Sequence, residues 1–255
     1  MKKWLERRAE QYEAASKWTG FYDNIRDKIL LSLHKENTGE KSLVDIGCGI
    51  GILDRKLSPY FKNIVAIDKD SNAIKFFLRK INEERLTNIK TITKRWEQVY
   101  NQYKNNKRDI LLLSFFSDPR IDNMEKLFSF AKEKVVIVTN AGNDLRENDS
   151  RKREKRLLER ANGNIWIKWI ASEMNNKSPG KCKILSYEKQ ELDFDFGQPL
   201  HSKNEAFLFI KDYYEIEIAK KRIKDLEKTG DEKFPYFLPK TKHLTIIIIN
   251  LKMNS

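Results

Sequence analysis

Residues 43–51 read Leu-Val-Asp-Ile-Gly-Cys-Gly-Ile-Gly, an aliphatic run that carries a carboxylate and ends in three glycines at alternate positions. Glycine serves where the chain must turn tightly and let its backbone approach a ligand. The spacing separates ligand classes. A dinucleotide fingerprint, Gly-x-Gly-x-x-Gly, needs glycine where Ile52 stands, and a P-loop needs Gly-Lys-Ser/Thr, which this chain lacks. What stands instead is Asp45-x-Gly47-x-Gly49-x-Gly51. A second aliphatic run, Ile64–Ile67, ends in Asp68-Lys69-Asp70. A carboxylate at that strand end, about twenty residues past the glycines, accepts both hydroxyls of a ribose and repels a 2′-phosphate. Cys48, inside the turn, reads as a small residue rather than a nucleophile.

These residues need a scaffold that brings strand ends together. Short buried-strand patterns lie at Leu43–Ile46, Ile64–Ile67, Ile89–Thr93, Ile110–Phe115 and Val135–Thr139, with helical stretches at about 54–60, 71–85, 96–104 and 120–132 between them. Strands alternating with helices predict a doubly wound α/β fold, a seven-stranded and mostly parallel sheet covered on both faces. The third strand alternates Lys90 with threonines, as an edge strand does. Ahead of it, apolar residues from Trp4 to Leu33 recur at three- and four-residue spacing and predict amphipathic helices broken near Gly20. Residues 149–175 predict a basic helix turning apolar near Trp166, 183–187 a strand, 203–228 helix, and 243–251 a final strand after the breakers Pro235 and Pro239. The expected division is an N-terminal helical lid over 1–40, a core over 41–189 and 241–255, and an inserted cap over 190–240.

Composition narrows the setting. Fifty Lys plus Arg against 37 Asp plus Glu leave a net charge of +13, which favours anionic partners; lysines spread over every helix also fit a solvated surface. Two distant cysteines, Cys48 and Cys182, imply no disulfide framework and fit a reducing cytoplasm. The opening Met-Lys-Lys-Trp-Leu-Glu-Arg-Arg lacks the apolar core of a signal peptide, and the longest aliphatic run, Ile246–Ile249, is too short to span a bilayer. The expectation is a soluble cytoplasmic chain without a membrane partner. His34, His201 and His243 are scattered and suggest no metal site. Nothing in the composition sets an oligomeric state.

Together, the glycine turn with Asp45, the carboxylate Asp68 and the strand–helix rhythm resemble the class I, Rossmann-like, S-adenosylmethionine-dependent methyltransferases. The resemblance implies S-adenosylmethionine as cofactor and S-adenosylhomocysteine as product. It implies a cofactor site from Asp45, Gly47, Cys48, Gly49 and Gly51, with Asp68 and Lys69 beside the ribose. In that family the loop after strand three flanks the adenine, so Trp96 would cover the base and Glu97 meet its polar edge, Trp96 as ordinary packing being the alternative. Arg7-Arg8-Ala-Glu-Gln-Tyr12 resembles the N-terminal helix that many small-molecule members lay across their cofactor, which would bring Tyr12 to its methionine end. Ser114, Asn140 and Asn143 follow strands four and five at the ends where an acceptor would sit, and His201 lies in the expected cap.

Other members are disfavoured by missing motifs. Amino-methylating nucleic-acid enzymes carry an Asn/Asp-Pro-Pro-aromatic turn where this chain has Ser114-Phe-Phe-Ser-Asp-Pro119, and cytosine carbon-5 enzymes need a cysteine after strand four or five. Phe115 and Phe116 would instead line an apolar or aromatic acceptor pocket. The leading expectation is methyl transfer to a small molecule, with no assigned catalytic base. An RNA (or translation-factor) methyltransferase using Arg151-Lys-Arg153-Glu-Lys155-Arg156 is the rival, and a non-catalytic cofactor-binding scaffold the third reading.

Overall fold

In a computed structural model, the described residues are 2–33, 38–116, 121–140, 166–174, 182–211 and 216–253. Asn143, Ser117–Pro119, His34 and the Arg151–Arg156 cluster lie outside them, as does most of the expected basic helix.

The strand–helix rhythm becomes β1 (Ser42–Ile46), α3 (Ile52–Leu57), β2 (Asn63–Asp68), α4 (Ser71–Glu83), β3 (Ile89–Thr93), α5 (Trp96–Tyr103), β4 (Arg108–Ser114), α6 (Ile121–Phe128) and β5 (Ala131–Asn140). Ahead of it stand α1 (Lys2–Thr19) and α2 (Phe21–Ser32), separated by Gly20 at φ 65°. After it come α7 (166–174), β6 (Cys182–Leu200), α8 (Lys203–Lys211), α9 (Ile216–Arg222), β7 (Glu227–Lys228) and β8 (Tyr236–Met253). The sheet runs β3-β2-β1-β4-β5-β8-β6, with β7 pairing β8. The first five strands are parallel, and β8 is antiparallel to both β5 and β6.

Side chains on alternate faces of each strand divide the core in two. Val44, Leu111, Leu113, Val135, Ile137, Ile247 and Ile249 face one cluster with Trp96, Phe128 and Trp166. Leu43, Ile110, Leu112, Val136, Val138, Ile246 and Ile248 face the other, with Phe21, Ile25 and Ile29 of α2 and Leu53 and Leu57 of α3. The four consecutive isoleucines are therefore two buried pairs on opposite faces. β3 is an edge strand, as its alternation predicts.

The sheet has eight strands rather than seven. The extra one, β7, falls where helix is expected; Glu227 and Lys228 are both exposed and carry no periodic signal. The larger difference is the ribbon of β6 and β8, paired from Cys182↔Met253 to Leu200↔Tyr236. Glu191–Phe196 belongs to β6, with Phe194 and Phe196 buried and Asp193 and Asp195 exposed, an alternation of period two. Pro239 does not end β8; it sits opposite Gly197, beyond Leu244, the last residue of β8 that pairs with β5. The segment between the two strands is accordingly 201–235, shorter than the 190–240 cap expected. Its α8 and α9 close a small core of Ala206, Ile210 and Ala219 against Leu200 and Leu238.

Candidate functional site

Ligands of open α/β sheets gather beyond the carboxyl ends of the strands, where the strand order reverses. Here the chain winds outward from β1 to β2 and β3, then returns to start β4 on the other side of β1. The turn Gly47–Gly51 after β1 and the turn Ser114–Phe116 after β4 meet at this point.

Gly47, Gly49 and Gly51 have φ of 83°, 56° and 67°, a conformation that other residues adopt only with strain. Their missing side chains matter differently. A Cβ on Gly47 would lie 2.9 Å from the Phe116 ring, and one on Gly51 2.3 Å from Phe77, whereas one on Gly49 meets nothing within 4 Å. Gly49 thus presents bare backbone to open space. The turn is stitched to β2: Gly47 N–H donates to the Ile67 carbonyl at 2.8 Å, and Gly49 N–H donates to Asp68 Oδ2 at 2.8 Å. Asp68 Oδ1 accepts from Asp70 N–H at 2.8 Å. Each carboxylate oxygen keeps further acceptor capacity, so tying down the turn leaves room for two hydroxyl donors. Phe115 is a non-glycine residue at φ 52°, a local strain of the kind that gathers at functional sites.

Two cavities open here and share Gly47 and Phe115. The first, about 130 Å³, is lined by Ile46, Ile67, Asp68, Lys69, Trp96, Glu97 and Phe116, among others. The second, about 460 Å³, takes Arg8, Ala9 and Tyr12 from α1, Tyr22 from α2, Asp45, the whole glycine turn, Ser114, Asn140 and Lys242. All the residues of the expected cofactor site therefore line one cavity or the other. Trp96 is also largely buried in the core, edge-on to Phe130 at 6.4 Å between ring centroids. Arg8, Tyr22 and Lys242 were not singled out from the sequence. Lys242 belongs to a stretch of β8 that begins seven residues before the predicted strand, and the other two have no local motif.

Beneath the turn lies an acid pair. Asp45 and Asp54 are both buried, and Asp45 Oδ1 and both oxygens of Asp54 find no hydrogen-bond partner among the described residues. Burial holds the Asp45 carboxyl well above the usual carboxylate range, with the charge of Asp54 adding to the effect. Burial also pushes Asp54 up to about 7. Both carboxyls are therefore held toward their protonated forms. Burial likewise raises the Cys48 thiol and the Tyr22 hydroxyl, keeping both protonated. The neutral Cys48 thiol is a filler of the turn.

α1 and α2 are fastened over this region. Arg55 of α3, mostly buried, bonds to Glu13 of α1 and Glu84. Gln11 Nε2 donates to the Pro199 carbonyl at 3.0 Å, and Lys233 pairs with Glu10 at 2.8 Å. His201 lines neither cavity; its N–H donates to Glu205, and its Nδ1 lies 2.6 Å from the Lys233 carbonyl. His243 pairs with Asp193 on the ribbon.

Residues 24–148 match the profile of the family described as Methyltransferase small domain. Over 70 residues the chain is 40% identical to the Saccharomyces cerevisiae protein named Probable S-adenosylmethionine-dependent methyltransferase CRG1, a stretch covering 26% of this chain and 24% of that one. The chain thus spans about a quarter of the length of the curated relative it matches. Among solved structures, the plantazolicin methyltransferase BamL aligns with a TM-score of 0.52 at 17% identity, over 97% of this chain and 90% of that one. The YcgJ protein of Bacillus subtilis aligns with a TM-score of 0.52 at 13% identity, over 89% and 97%. At these identities both likenesses bear on the fold. No helix among the described residues is long and apolar enough to cross a membrane.

Proposed function

We propose that the chain is a class I, Rossmann-like, S-adenosylmethionine-dependent methyltransferase that transfers the cofactor's methyl group to a small-molecule acceptor. The observation that carries this reading is the two-lobed cleft, joined at Gly47 and Phe115 and roofed on its larger side by α1 and α2.

The residues present fit the cofactor. Gly49 offers backbone to open space, and Asp68 keeps acceptor capacity on the wall of the smaller lobe. Asp68 would hold the ribose hydroxyls, with Lys69, Trp96 and Glu97 around the base. Tyr12, Asp45, Cys48, Gly51 and Ser114 would surround the methionine end. When bound, S-adenosylmethionine supplies an electrophilic methyl group on a positively charged sulfur. The protein's part is to position the acceptor in line with it and to exclude water.

A cavity of about 460 Å³ beneath helices suits a small molecule better than a nucleic acid strand laid across a surface. The net charge of +13 supports the second reading, an RNA acceptor. Intact glycines and Asp68 speak against a bare scaffold.

Calorimetric titration with S-adenosylmethionine, S-adenosylhomocysteine and NAD tests the proposal. Binding of both sulfur ligands but not NAD is expected; binding of neither sinks it. RNA binding that weakens steeply with salt, together with methylated RNA as product, would replace the small-molecule reading.

A further inference from the structure

Asp54 stands in the first turn of α3, fully buried, and neither of its carboxyl oxygens has a hydrogen-bond partner among the described residues. Asp45 on β1 is buried close by, its Oδ1 equally unpartnered, and it belongs to the wall of the larger cavity. A buried polar group without a partner costs stability, and a buried carboxylate without a counter-charge costs more. Two such groups side by side, one of them opening on a cleft, are expected where a ligand completes the set.

The charges that bear on Asp45 are those of Asp54 and of Asp68 on β2, both of its own sign. The cation that reaches Asp54 is Arg55, and its terminal nitrogens are taken by Glu13 of α1 and by Glu84 at the end of α4. Lys56, next along α3, pairs with Asp23 of α2. Cys48 in the turn and Tyr22 of α2 keep their protons. Arg8, Tyr12 and Lys242 complete the titratable groups on the described cavity wall. What the site would take matches this imbalance. S-adenosylmethionine and S-adenosylhomocysteine share an α-ammonium and an α-carboxylate; they differ in one methyl group and in the positive charge on sulfur. A single methyl gives modest discrimination by shape, whereas a charge in a low-dielectric interior is felt over several ångströms.

We propose that Asp54 is a specificity-determining residue that, with Asp45, makes the site prefer the sulfonium cofactor over the neutral thioether left after transfer. This rests on the methyltransferase reading above. Asp45 and Asp54 ionise against the positive sulfur and release a proton to solvent. Once the sulfur is neutral they take a proton back, and the site holds the product less tightly. Burial has already brought Asp54 to about 7, so one added positive charge moves its proton at neutral pH. The ammonium common to both ligands cancels in the comparison.

The test titrates both ligands by calorimetry at pH 7, in buffers of different ionisation enthalpy, and then across pH 5.5 to 7.5. S-adenosylmethionine is expected to release about half a proton more than S-adenosylhomocysteine. Its advantage in dissociation constant should grow about threefold or more as pH rises through that range. Asp54→Asn should abolish the extra proton and flatten the ratio; the ligands' own amines titrate alike in parent and variant and drop out. At pH 5.5, where Asp54 already holds its proton, the variant should bind both ligands within about twofold of the parent. The proton count is taken on the parent protein, so a poorly folding variant leaves the test decisive. Equal proton release by the two ligands, a ratio unmoved by pH, or a variant that keeps the parent's pH dependence would overturn the assignment. So would a variant that weakens both ligands equally at pH 5.5, which marks a purely structural role. Failure of both ligands to bind the parent would instead strike the methyltransferase reading.

Discussion

The smaller cavity draws its whole described wall from residues 46–116, whereas the larger one is built on the glycine turn and takes residues 8, 9, 12, 22, 140 and 242 from far outside it. The first is made by consecutive strand–turn–helix units, each placing its strand end beside the next. The second exists only because α1 and α2 fold back over the sheet and the long ribbon carries β8 past the end of β5. A cofactor shared by a whole family suits the first kind of construction together with the glycine turn. An acceptor peculiar to one protein suits the second, because its walls vary without disturbing the glycine turn.

The largest effects separate two glycines of the turn. Gly51→Val drives a side chain into Phe77 from a left-handed backbone and is expected to destabilise the fold by about 4 kcal/mol, seen in chemical denaturation. Gly49→Val meets no protein atom within 4 Å and should cost the fold only about 1 kcal/mol while abolishing cofactor binding. Equal stability losses in the two variants would mean the open side of Gly49 is not where a ligand passes.

Next comes Asp68→Ala, which removes the acceptor of the Gly49 and Asp70 amides and the proposed ribose contacts. S-adenosylhomocysteine should bind at least thirtyfold more weakly, about 2 kcal/mol. Undiminished affinity by calorimetry in a folded variant would remove Asp68 from the site.

The acid pair beneath both lobes provides a pH handle. Asp54 is raised from about 3.8 to about 7, so the folded protein holds more protons than the unfolded chain between those values. Stability is therefore expected to fall as pH rises from about 4 through 7. Asp54→Asn should flatten that slope and exceed the parent protein's stability at pH 8 by roughly 2 kcal/mol. A parent stability that climbs across this range would contradict the raised carboxyl of Asp54. Smallest of all, Cys48→Ala should alter stability and cofactor affinity by less than about 0.5 kcal/mol; a larger loss of affinity in denaturation-matched titrations would give the thiol a role beyond filling the turn.

The same contrast governs how much was legible in advance. Asp45, the three glycines and Asp68 lie in local patterns whose spacing specifies a strand, a tight turn and a helix. β3 announced itself as an edge by its alternation, and the break at Gly20 by the residue needed there. The ribbon was harder to see because Pro239 and the Asp193–Phe196 stretch look like interruptions. They become strand once Gly197 sits opposite the proline and the phenylalanines find a buried face. Trp96 shows another limit: one residue type serves equally as a core filler and as a cavity wall, and here it does both.

By itself the sequence determined the α/β alternation, the glycine turn and the carboxylate that closes the next strand, because each depends on backbone geometry and side-chain period over a few residues. Only the tertiary structure brought Lys242 among Tyr12, Phe21, Phe115 and Phe196, set Asp54 against Asp45, and roofed the larger cavity with α1 and α2. Those contacts join residues as many as 230 positions apart, as with Tyr12 and Lys242, and no local pattern encodes which distant ring a given ammonium will meet.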